Sequence, residues 1–118
     1  MSFTAGKNIA LKVPDHEFQE TVHFYREILG FADAFEYKDD AGSVAVEFGS
    51  NVLWIDRVTT LSQAEIWLEI KTDNISAARS ELEAQGVRTR ESIEPLPANI
   101  EGFWIAGPSN IIHLLHQQ

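Results

Sequence analysis

The chain has 118 residues, 44% of them hydrophobic and 10% aromatic, enough for one domain with a real core and too much for a disordered chain. It has no cysteine, which excludes a disulfide scaffold, thiolate chemistry and Cys-ligated zinc or iron–sulfur sites. The formal net charge is −9 with scattered Lys and Arg and no basic stripe, so nucleic acid and anionic membranes are poor partners.

In chain order, the opening MSFTAGKNIALKV has no apolar signal core, and no segment approaches the roughly 20 apolar residues of a membrane span. A cytoplasmic location is the expectation. Residues 8–13 alternate, with Ile9, Leu11 and Val13 on one side, and read as a strand. Residues 15–29 read as a helix, because Phe18, Val22, Tyr25, Ile28 and Leu29 recur at three- and four-residue spacing. Asp15 is its expected N-cap and Gly30 its stop. Strands are predicted at 35–38, 44–48 and 51–56, separated by turn residues at 40–42 and 49–51. A polar joint spans 57–63. A strand at 65–70 follows, then a helix over 73–85 that Asp73 or Asn74 caps and Gly86 ends. Three further strands are predicted at 87–91, 102–106 and 110–116, with Pro95, Pro97 and Asn99 marking a loop before the second of them.

The two halves match. Each reads strand, capped helix, Gly, three strands, the signature of an internal duplication too short to be a solenoid. The fold class is α+β: one domain over residues 1–118, made of a first module (about 1–58) and a second (about 62–118). Two βαβββ modules can curl a mixed sheet into a half-barrel with helices outside and a concave face inside.

Three segments carry a family resemblance. VHFYREILGF (22–31), AEIWLEIKTDN (64–74) and GFWIAGPSNIIHLLHQ (102–117) resemble, in that order, the helix exit, second-module strand and closing hairpin of the vicinal oxygen chelate superfamily, which holds the glyoxalases, bleomycin-resistance proteins and dioxygenases. The resemblance covers nearly the whole chain. It implies paired βαβββ modules, a cavity in each half-barrel and a homodimer. It also implies, for catalytic members, a divalent metal held at four strand positions. Here those positions are Asn8, Trp54, Glu65 and His113. Only Glu65 and His113 are capable ligands, fewer than a facial triad or an octahedral site needs. No cofactor is therefore favoured, and a divalent metal at Glu65 and His113 is the alternative.

Side chains alternate across a strand, so one face can be read directly. Parity sends Asn8, Ala10 and Lys12 inward, with Glu47, Val52, Trp54, Asp56, Glu65, Trp67 and Glu69. On the last strand it gives Ile112 and Leu114 to the core and turns Ile111, His113 and Leu115 inward. The candidate ligand-binding set is Glu47, Trp54, Asp56, Glu65, Trp67, Glu69, Trp104 and His113. Carboxylates interleaved with indoles suit a cationic or aromatic small molecule. The alternatives at the same residues are core or dimer-interface tryptophans, solvated strand carboxylates, and a plain Glu65–His113 hydrogen bond. His16, His23 and His116 are read as surface residues. The reading is a small-molecule binder like the bleomycin-resistance branch, with no catalytic residue assigned. The alternative is a metal-dependent lyase, isomerase or dioxygenase.

Overall fold

The computed structural model describes residues 1–36 and 42–118. Residues 40 and 41 of the expected turn and residues 37 and 38 of the expected strand fall outside the described residues. The elements are β1 (Phe3–Ala5), β2 (Asn8–Val13), α1 (Asp15–His23) running into a π-helical turn (Phe24–Ile28), β3 (Ser43–Phe48), β4 (Asn51–Arg57), β5 (Glu65–Thr72), α2 (Ile75–Ala84), β6 (Arg88–Thr89), β7 (Gly102–Ala106), a 3₁₀ turn (Pro108–Asn110) and β8 (Ile112–Gln117). No helix among the described residues is long and apolar enough to cross a membrane.

They form two compact units, residues 7–66 and residues 1–6 with 67–118. In the first unit β4 is flanked by β2, parallel, and β3, antiparallel. In the second, β8 is flanked by β5, parallel, and β7, antiparallel, and β6 pairs with β7. The two units therefore repeat one topology: the strand before the helix lies parallel to the last strand of its module. Just before the strand expected at 35–38, Asp33 bridges Val46 and Ala34 N–H donates to the Ala45 carbonyl at 2.9 Å. β6 is shorter than the predicted 87–91 strand. The first six residues, counted with the first module from sequence, pair with the second, β1 running antiparallel to β5 from Phe3 beside Thr72.

Helix signals are obeyed with local substitutions. Pro14 occupies the N-cap of α1 without a side-chain bond, and Asp15 in the first turn instead pairs with Arg57 at 3.2 Å. Asn74 caps α2, its side chain accepting from Ala77 N–H at 3.0 Å. Leu29 N–H reaches the Phe24 carbonyl at 2.9 Å, closing the wider π turn. Gly30 and Gly86 follow the two helical segments with φ of 74° and 82°, the left-handed exit that glycine adopts without strain.

One face of each sheet packs on its helix. In the first unit Val13, Val44, Val46, Leu53 and Ile55 close on Phe18 and Val22. In the second, Phe103, Ile105 and Leu115 close on Ala78, with Ile70 and Leu82 against them. Ile66, Leu68 and Ile70 alternate with the inward-read Glu65, Trp67 and Glu69 and so belong to the helix side by parity, yet Ile66 and Leu68 stay exposed and only Ile70 reaches the cluster.

Candidate functional site

The helix-free faces carry the polar and aromatic residues singled out from sequence. In the first unit Asn8 sits beside Val52, Ala10 beside Trp54 and Lys12 beside Asp56, so Asn8 and Trp54 are diagonal neighbours. The Trp54 indole N–H donates to Asn8 Oδ1 at 2.9 Å. Phe35 stacks on Trp54 with ring centroids 5.3 Å apart and planes at 26°. Phe35 is 57% exposed, so this platform opens to solvent. Glu47 pairs with Val52 and Ala45 with Trp54, which puts the exposed Glu47 on the platform's face, one diagonal step from the indole.

Asp56 is less available than its sequence position implies. Lys12 Nζ lies 2.8 Å from its Oδ2, and Ser43 Oγ donates to Oδ1 at 2.6 Å. Lys12 is itself buried, so this pair is a structural element of the face in which each charge offsets the other's desolvation.

In the second unit Trp67 and Trp104 share the helix-free face and meet edge to face at 5.4 Å. Both are buried, and Trp104 Nε1 donates to the Glu94 carbonyl at 2.9 Å. Glu69 lies on the same face. Its Oε2 is 3.1 Å from His116 Nε2, and both side chains are about nine-tenths buried. The register that pairs Glu69 with Leu114 makes His116 its diagonal neighbour.

The parity read for β8 is corrected here. Leu115 pairs with Phe103 and is fully buried on the α2 side, and His113 pairs with Ile105 on that same side. Ile112, Leu114 and His116 are the residues on the helix-free face. Over residues 111–116 each parity carries two apolar residues and one His, so alternation by itself could not choose between the faces. His116, read as a surface residue, is thus the buried partner of Glu69. Its signal in the sequence was only its even-numbered place beside Leu114.

Of the four positions at which the resemblance implies a metal, Asn8, Trp54 and Glu65 lie in the first unit and His113 in the second. Asn8 Oδ1 already accepts the Trp54 indole N–H. Glu65, first residue of β5, alternates onto the face of Trp67 and Glu69, whereas His113 does not share that face. His113 Nδ1 lies 3.0 Å from the Ile111 carbonyl, at the hairpin end. Among the described residues no cluster of three His, Asp or Glu is arranged to hold a metal ion.

No family model matches the sequence, and no curated protein matches it. Solved structures do. A glyoxalase/bleomycin resistance protein/dioxygenase superfamily member from Vibrio splendidus 12B01 has a TM-score of 0.66 at 14% identity, covering 98% of this chain and 100% of its own. A methylmalonyl-CoA epimerase from Streptomyces coelicolor, in complex with 2-nitronate-propionyl-CoA, has a TM-score of 0.66 at 16% identity, covering 99% of each chain. The Mn(II)-bound glyoxalase from Novosphingobium aromaticivorans has a TM-score of 0.67 at 18% identity, covering 97% of this chain but 38% of its own. The chain therefore has the vicinal oxygen chelate fold.

Proposed function

We propose that this protein binds a small aromatic or cationic molecule, and that the first unit's helix-free face is where it does so, without metal chemistry at the four inherited positions. The observation that supports this is Trp54. An indole replaces the expected carboxylate, Asn8 fixes its orientation, and Phe35 extends it into an exposed aromatic surface beside Glu47. A cation over such a ring gains about 0.5–2 kcal/mol, and a nearby carboxylate adds attraction. Fixing the rings beforehand lowers the entropy lost on binding. Asp56 is engaged by Lys12 and Ser43, and Trp67, Trp104 and Glu69 belong to the second unit, so none of these four is a contact group in this reading. The protein acts as a cytoplasmic homodimer in the same proposal, which light scattering at micromolar concentration tests.

The deciding experiment is thermal denaturation with phenyltrimethylammonium and benzamidinium. At a hundredfold excess over Kd a ligand adds about 2.7 kcal/mol, a shift of several degrees for a domain this size. The shift is expected for the wild type and not for Trp54→Ala. Equal response of the two proteins, or no shift with either compound, contradicts the reading. So does a metal near one equivalent per chain in untagged protein.

A further inference from the structure

The geometry points to an oxyanion-binding cleft in the second unit, formed by Arg88, Arg90 and the turn before β8, that takes a phosphate or carboxylate group. It rests on residues 67–118 alone and is independent of the ligand proposed for the first unit.

The cleft has a volume of about 480 Å³ and is lined by Gly86, Arg88, Arg90, Gly107 and Asn110 among others. Arg88 pairs with Ala106, and Arg90 follows at the same strand parity, its N–H donating to the Trp104 carbonyl at 2.8 Å. Both guanidinium stems therefore share one face, Arg88 on the edge strand β6 and Arg90 just beyond its end.

Among the arginines, this pair stands apart. In a chain of net charge −9, a cation should find a carboxylate easily. Arg26 pairs with Asp33 at 2.7 Å, Arg57 with Asp15 at 3.2 Å, and Arg79 with Glu83 and Glu91. Arg88 and Arg90 make no ion pair among the described residues. Arg90 has a neutral partner, donating to Asn110 Oδ1 at 3.4 Å. Two unneutralised guanidiniums lining one cleft repel each other unless an anion lies between them. Planar forked donors also match carboxylate and phosphate oxygens two at a time.

The opposite wall is rigid. Gly107 N–H donates to the Ile111 carbonyl at 2.8 Å, and Asn110 N–H to the Gly107 carbonyl at 3.0 Å. Ser109 and Asn110 both hold positive φ, 61° and 59°. His113 backs the turn: a side-chain carbon on Gly107 would lie 3.1 Å from its ring. Asn110 is thus held where its amide can support Arg90 and a bound oxyanion together.

The test is an amide-resolved NMR titration of the full chain with inorganic phosphate and, separately, malonate, against sodium chloride at matched ionic strength. Saturable shifts at Gly86, Gly107 and Asn110 with one or both anions, absent with chloride, are expected. The tighter of the two identifies the anionic group. In Arg88→Gln/Arg90→Gln the dissociation constant rises at least tenfold, while Arg79→Gln leaves it within twofold. The proposal is overturned if neither anion gives saturable shifts there, or if the double variant, folded by its spectrum, binds as the wild type does. Should the double variant fail to fold, the wild-type shifts alone decide: saturation confined to the cleft amides upholds the site, and its absence removes it.

Discussion

Asn8 and Trp54 are joined by a 2.9 Å hydrogen bond between the helix-free faces of β2 and β4. Asn8→Ala leaves the half-buried indole N–H without that acceptor and is expected to cost about 1 kcal/mol. Trp54→Phe removes the donor instead. If the bond is the reason for the coupling, the double variant loses less than the sum of the singles, read from urea unfolding midpoints.

Gly6 and Glu69 give a second test. Gly6 N–H donates to the Glu69 carbonyl at 2.9 Å, and a side-chain carbon at Gly6 would stand 2.0 Å from Glu69 Oε1. Gly6→Ala therefore pushes the carboxylate off His116. A loss of about 1–3 kcal/mol is expected, the cost of leaving a buried polar group unsatisfied. The same substitution in a Glu69→Ala background should cost much less, since the obstruction is gone. An unchanged cost there would locate the strain elsewhere.

Phe18 and Phe35 separate packing from binding. Phe18 is 1% exposed inside the first cluster, with Arg57 over its ring at 4.4 Å. Phe18→Ala is expected to cost about 3–5 kcal/mol. Phe35→Ala removes an exposed ring and should leave stability within about 1 kcal/mol. It should nevertheless weaken phenyltrimethylammonium binding severalfold. Differential scanning calorimetry with and without ligand reads both effects.

Asp73 supplies a pH dependence. Ser2 N–H donates to its Oδ1 at 2.9 Å and holds its carboxyl below the usual aspartate range, with the amino-terminal charge adding to the effect. A depressed carboxyl stabilises the fold above its unfolded pKa, and that contribution disappears as pH falls through the folded value. Acidification should therefore release the amino-terminal strand β1 first. Faster amide exchange at residues 2–5 below the aspartate range, abolished as a pH effect in Asp73→Asn, is the expected record. Uniform exchange across β1 and β5 would argue that no such local release occurs.

The sequence by itself determined the two helices, the repeated strand–helix–three-strand order, and the helix-side faces of β2 and β4. In those segments the apolar residues fall on one side and polar ones on the other, so a period of 3.6 or 2 has a single reading. The departures at Asn8 and Trp54 were legible only through the family resemblance, which supplies the positions to compare. Only the tertiary structure decided the face of β8, the burial of Trp67 against Trp104, and the pairing of Glu69 with His116. Over residues 111–116 each parity carries two apolar residues and one His, so register against β5 and β7 chooses which side chains meet the helix. The meeting of Arg88 and Arg90 with Asn110 was likewise invisible, because it joins an edge strand to a turn about twenty residues away through contacts that no local period encodes.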